Sequence, residues 1–284
     1  MFFLILSVIC SVVVGVIFKI SKKHDINDNQ IVATNYVVAL VFCFAFFTPN
    51  LSVITGKSPW ILYTTIGILL PTVFLILAAS IKYIGIVKTD AAQRLSLFIP
   101  ILAALFIFKE DFSSIKIVAL IIALPAILLI LSKPSSDTIN RWIFPVLVLI
   151  GFGLIDILFK QIALYTKLPY TTSLTIIFSV SLFIMVTIIL YQFFILKLKI
   201  KAKSLIFGGL VGIFNFGNIL FYLKAHQAFS QNPSTVFAGM NMGVIVLGSV
   251  VGIFIFKEKL NKHNYVGLFL ALFSIILIAY EQIH

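Results

Sequence analysis

The chain has 284 residues, 61% of them hydrophobic and only 11% charged, with a mean hydropathy of +1.18. A soluble domain of this size needs far more polar surface, so the composition excludes one and points to an integral membrane protein. The formal net charge of +12 is no nucleic-acid footprint, because the Lys residues stand at the ends of apolar runs, where they face lipid headgroups.

A helix that crosses a bilayer needs about 20 mostly apolar residues. Ten stretches meet that length, at residues 2–20, 30–48, 59–80, 88–108, 113–132, 142–161, 171–196, 203–225, 233–256 and 262–281. The first lacks a basic flank and a small-x-small cleavage site, so it reads as a retained helix. Cys10 and Cys43 fall inside apolar runs without metal-ligand spacing and read as small apolar filler. The connections are short and leave no room for a soluble domain. The stretch Lys133-Pro-Ser-Ser-Asp-Thr-Ile-Asn140 clusters turn residues at the middle of the chain.

That middle is also a seam. Phe106-Ile-Phe-Lys-Glu110 recurs as Phe254-Ile-Phe-Lys-Glu258, and the match continues at the same spacing through Val118 and Val266 to Leu129-Ile130 and Leu277-Ile278. Ile17-Phe18-Lys19 pairs with Leu158-Phe159-Lys160, and Gly67-Ile68 with Gly212-Ile213. The expected fold class is an all-α membrane protein of ten transmembrane helices in two five-helix repeats. These cover residues 1–133 and 141–284, with residues 134–140 as linker. Five is odd, so the second copy is inverted, an arrangement that places a substrate site near the bilayer midplane. Glu110 and Glu258 then start the fifth and tenth helices, where a negative charge suits the helix dipole. Of the 21 Lys and Arg, six (Lys57, Lys109, Lys116, Lys160, Lys167 and Lys224) fall on one face of the bilayer and the rest on the other. The richer face is expected in the cytoplasm, with both termini outside.

The segment from Ile81-Lys82-Tyr83 to Lys109-Glu110, with the helix after it, resembles the repeat unit of EamA-type transporters of the drug/metabolite transporter superfamily. Its marks are the Lys-Tyr pair before the fourth helix, Pro100 within it and Glu110 at the following turn. The second copy keeps Ala228-Phe229 and Glu258 but has Gly248 in place of the proline. The family usually has Gly-Glu at the turn, where this chain has Lys109 and Lys257 before the acid. The resemblance covers nearly the whole chain. It implies a transporter whose cavity is lined by helices 1, 3, 4, 6, 8 and 9, and it leaves the substrate open. It also implies cytoplasmic termini, against the charge count, which we retain.

Ionisable groups inside a span cost about 2.5–3.5 kcal/mol at its centre, so those present mark sites. Asp156 in the sixth stretch is expected to bind a proton or a substrate amine, and the alternative is an i,i+4 ion pair with Lys160. Arg94, with Gln93, is read as a donor to a substrate carboxylate or phosphate, against a pair with Asp90. Asn215, Asn218 and Asn241 either hydrogen-bond a ligand or join helices. Tyr222 is an aromatic wall, Ser11 lines the path or bonds back to a helix carbonyl, and Thr72 is a contact beside Pro71, with a simple kink at Pro71 as the alternative. Met240 and Met242 read as packing, and the four histidines as loop or end residues. No metal site, cofactor or nucleotide-binding motif is found.

The function expected is a secondary active exporter of a small metabolite such as an amino acid, by alternating access, driven by protons or by exchange. The alternatives are a multidrug or lipophilic-cation exporter and, from another class, a membrane-embedded enzyme or lipid-handling protein. The expected setting is multi-pass in the bacterial inner membrane, with the bilayer, the substrate and a coupling proton as partners. An alkaline phosphatase reporter fused after His284 is expected to be active, which is the outcome for a terminus outside the cytoplasm. An inactive fusion reverses the orientation.

Overall fold

A computed structural model describes residues 1–21, 23–56, 58–84, 92–93, 95–96, 98–131, 143–164, 169–255 and 262–281. The described residues form ten α-helices, one 3-10 turn (Leu51–Val53) and no strand. The helices are α1 (Phe2–Ser21), α2 (Asp28–Phe47), α3 (Trp60–Ile84), α4 (Phe98–Phe106), α5 (Ser114–Leu131), α6 (Ile143–Leu164), α7 (Tyr170–Phe194), α8 (Ala202–Ala228), α9 (Pro233–Phe254) and α10 (Lys262–Glu281). Seven of them, α1, α2, α3, α6, α7, α8 and α9, carry apolar stretches long enough to cross a membrane. In α5 and α10 the apolar stretches among the described residues are shorter, Ile117–Ala126 and Tyr265–Ser274. The linker at residues 134–140, and Phe256-Lys257-Glu258 of the second copy of the repeated turn, lie outside the described residues.

Helices are the form this composition dictates. Hydrocarbon offers no hydrogen bonds, so every backbone group must find its partner within its own segment. Boundaries follow polar punctuation. Asn27 caps α2, its side chain accepting from Asn29 N–H, and Pro233 occupies the first turn of α9, where its missing N–H costs nothing. Pro71 lies inside α3 and Pro125 inside α5.

The packing has an internal pattern. Helix α1 packs on α8 and α9, while α6 packs on α3 and α4. Helix α2 packs on α8, and α7 on α3. Helices α2 and α7 pack on each other, as do α5 and α10. The last pair meets through small residues, with Ala119, Ala123, Ala126, Ala271 and Ser274 all buried and Ser274 Oγ donating to Ala119 O at 2.8 Å.

Glycines set the closest approaches. A Cβ added to Gly67 would lie 2.6 Å from Val180 Cβ and 3.1 Å from Ile177 O, where α3 crosses α7. At Gly212, where α8 crosses α2, it would lie 2.7 Å from Val38 Cβ and 3.0 Å from Asn35 O. Small residues at such points let helix backbones come together, which is how helices associate when lipid is as apolar as the side chains. At one end of the bundle, polar contacts tie the α1–α2 connection to the α7–α8 connection. Asn27 N–H donates to Ser204 Oγ at 2.8 Å, Gln30 bonds Lys199 O and Lys201 N–H at 2.9 Å each, and Lys201 pairs with Asp25.

Gly67→Val and Gly212→Val are each expected to destabilise the fold by about 1–3 kcal/mol, as overpacking does. Gly209→Ala, which meets nothing within 4 Å, is the neutral control. Thermal unfolding in detergent measures the difference.

Candidate functional site

Between α1, α3, α6, α8, α9 and the residues just before α4 lies a cavity of about 140 Å³, many times the ~10–15 Å³ that one water needs on the same measure. Its apolar wall is made by Phe74, Phe152 and Phe159 with Leu70, Ile219 and Val244. Polar groups interrupt that wall at seven of the positions expected from sequence.

Asp156 lines the cavity from α6, and Tyr222 OH donates to its Oδ1 at 2.8 Å. The Tyr222 ring is buried and meets Phe159 edge-on. This replaces the i,i+4 alternative. Lys160 is fully buried, and its Nζ donates to Ser230 O at 2.9 Å. Asn215 and Asn218 both line the cavity from α8. Asn215 Nδ2 donates to Asn35 Oδ1 at 3.0 Å, and Asn218 Oδ1 accepts from Ser7 Oγ at 2.8 Å. Each amide thus joins two helices with one end and keeps hydrogen-bonding capacity at the other. Asn241 lines the cavity from α9, with its Nδ2 bonded back to Phe237 O at 3.0 Å. Gln93 and Ser11 complete the set.

One expected residue stands apart. Thr72 is on the exposed side of α3, its hydroxyl donating to Ile68 O at 2.6 Å. Its place two residues before Phe74 puts it on the opposite side of the helix from the cavity, since successive residues turn by about 100°. Arg94, like Asp90, lies outside the described residues.

The sequence reading missed several contributors. Ser96 and Met240 line the cavity. Asn35 is 2% exposed in the middle of α2 and is the partner that fixes Asn215. It carried the same signal as the other amides, a polar group inside an apolar run. His226 had no such signal, because the apolar count ended one residue before it.

The repeated turn proves to be a staple. Lys109 has φ 51, the left-handed region where glycine alone is free of strain, which accounts for the Gly that the family places there. Glu110 N–H then donates to Ala104 O at 3.0 Å, closing the end of α4. The Glu110 carboxylate is 5% exposed; it accepts from Ser234 N–H at 2.9 Å and Ser234 Oγ at 2.5 Å. The acid expected at the start of α5 caps α9. Negative charge at those first N–H groups is favourable for the same dipole reason.

Fold and site define a multi-pass α-helical membrane protein with a partly polar cavity among its helices. Residues 1–132 match the model of the EamA-like transporter family, and the chain belongs to that family, part of the drug/metabolite transporter superfamily. It is 39% identical to an uncharacterized protein of Haemophilus influenzae, across 98% of this chain and 97% of that one. A protein of known crystal structure superposes over 97% of this chain and 94% of its own, with a TM-score of 0.71 at 9% identity. That likeness concerns the fold alone.

Glu110→Ala is expected to cost about 1–3 kcal/mol of stability, the penalty for stranding buried donors. Glu110→Gln, which keeps an acceptor for Ser234 N–H, should lose less. Thermal melts of the two variants in detergent give the ranking, and equal melting points would remove the cap from the fold's support.

Proposed function

We propose that the protein is a secondary transporter that exports a small amine-bearing metabolite, such as an amino acid, by alternating access. The observation that carries this reading is the Asp156 carboxylate at the cavity wall. One of its oxygens is held by Tyr222 and the other remains for a solute or a proton. A carboxylate fixed among amides and aromatic rings binds an ammonium group or H⁺ in the same place, and competition between the two couples solute to proton. Exchange of one solute for another is the other driving force that the arrangement allows. The sequence carries no ATP-binding motif.

Ten spans in two inverted five-helix halves are part of the proposal. The packing partners of α1 and α2 are matched, five helices on, by those of α6 and α7. The glycine crossings match as well: Gly67 on Val180 and the Ile177 carbonyl, Gly212 on Val38 and the Asn35 carbonyl. Halves related in this way can exchange conformations, which opens the cavity first to one side and then to the other. We place the protein in a bacterial inner membrane with its termini outside the cytoplasm.

A second reading, export of lipophilic cations, is favoured by the rings of Phe74, Phe152, Phe159 and Tyr222 around the acid, since a cation over an aromatic face is stabilised by the ring quadrupole.

Proteoliposome flux under an imposed pH gradient tests both readings, with amino acids in one arm and a lipophilic cation in the other. Asp156→Asn is expected to lower flux by about 10–100-fold, the loss of one charge-assisted hydrogen bond of roughly 1.5–3 kcal/mol. Unchanged flux would take Asp156 out of the site. Arg94→Gln should weaken a substrate that carries a carboxylate and leave a simple cation untouched.

A further inference from the structure

Beyond Tyr222 the cavity is shut by a buried cluster. Glu110 from the α4–α5 turn holds Ser234 at the start of α9. Lys160 from α6 holds the Ser230 carbonyl in the α8–α9 turn, with its Nζ 6.0 Å from the centre of the Phe108 ring. His226 stands inside this closure. It is fully buried, and among the described residues neither ring nitrogen has a hydrogen-bond partner. Its ring lies between Tyr222, centroids 4.6 Å apart, and Phe237, centroids 4.8 Å apart.

A packing role does not explain this residue. Neutral imidazole brings one donor and one acceptor, and native interiors pair such atoms almost always. A phenylalanine between those two rings would fill the space without stranding either. A stranded imidazole therefore points to another state of the protein in which its nitrogens are used. The charged groups that face it decide what that use is. Lys160 of α6 is within electrostatic reach of the ring, and Glu110 is within reach of Lys160. Asp156, also on α6, is separated from His226 by Tyr222 of α8. Helix α9 brings Phe237 and Ser234. Helices α1 and α2 meet α8 through Phe3 on Phe221 and through Phe42 and Phe47 on Phe216, none of them charged. Lys224 leans on Phe3, about 200° around α8 from His226. An imidazolium in the closed cluster would sit unsolvated beside an ammonium, so closure requires the neutral ring.

We propose that His226 is a second proton-binding residue of this protein, neutral while the end of the cavity beyond Tyr222 is closed and protonated when that end opens. Opening parts Ser234 from Glu110 and admits water. A ring nitrogen then takes a proton from hydronium and leaves water. Closing returns the proton to water before the ring is buried again. Acid on that side therefore favours the open state. The proposal rests on the transport reading for its purpose but not for its measurement.

The test is cysteine accessibility at Ala238, which is fully buried on α9 next to Phe237, in a background with Cys10 and Cys43 replaced by Ala. Maleimide labelling of Ala238→Cys is divided by that of Ala228→Cys, an exposed position at the same end, so that thiol ionisation largely cancels. Lowering the pH from about 8 to about 6 is expected to raise the ratio about threefold or more, the range in which an imidazole titrates once solvated. With His226→Gln or His226→Asn added, the ratio should stay flat. A flat ratio with His226 in place overturns the proposal whether or not the variants fold. So does an equal rise in the variants. Labelling that follows His226 in a protein that moves no solute would sustain this residue's role and remove the transport reading. Flux with flat labelling would do the reverse.

Discussion

Helices in a bilayer gain nothing from hiding apolar side chains from one another, because lipid is an equally good solvent for them. What holds them is close contact, and in this protein close contact depends on Gly67 and Gly212. At these two points α3 reaches the backbone of α7, and α8 reaches the backbone of α2, with carbonyl oxygens about 3 Å from where a Cβ would stand. A larger residue at either point would push a helix pair apart. Helices α1 and α6, which pack on α8 and α3 in turn, would move with them. The cavity walls depend on that spacing. Ser11 reaches the cavity from α1 and Asp156 from α6 only because α8 and α3 are held where the glycines put them.

The polar groups follow from the same scarcity of solvent. Each must find a partner inside the protein, and most bridge two helices. Asn215 is held by Asn35, Asn218 by Ser7, Asp156 by Tyr222. One partner satisfies part of an amide or carboxylate and leaves the remainder for something else. These groups meet on one cavity, so the unused capacity is gathered in one place. The choice between joining helices and binding a ligand, posed for these residues from sequence, is therefore not exclusive: a side chain that joins two helices keeps hydrogen-bonding capacity on the cavity side.

The helices were legible because hydrophobic length and polar ends are local properties. The tenth stretch, expected at residues 262–281, is Lys262–Glu281, and the sixth and seventh agree within a few residues. The third runs on to Ile84 past Ser80, which had looked like an end, because a helix need not stop where the bilayer does. Most of the cavity was legible too, since a polar residue within an apolar run is conspicuous. What escaped depends on partners far along the chain. Glu110 was assigned to its own helix by a local electrostatic rule, which gives no sign of its bonds to Ser234, 124 positions away. Lys160 was weighed as the partner of Asp156 by helical spacing, but a carbonyl in the α8–α9 turn is the stronger claim on its ammonium. His226 looked like a residue at a helix end. It is turned inward, against rings from its own helix and from α9.

The Glu110–Ser234 contact has a consequence for how the chain is assembled. A carboxylate from the α4–α5 turn completes the first turn of α9, so the two parts of the polypeptide are not finished independently. Emerging in order from the ribosome, the earlier part carries a charged side chain whose lasting position is created only when α9 arrives. Until then the acid must stay hydrated at the membrane surface, and its withdrawal into the protein marks the moment when the later part is seated. Truncation before α9 would leave an earlier part that has every one of its own helices and still keeps one charge in the wrong solvent.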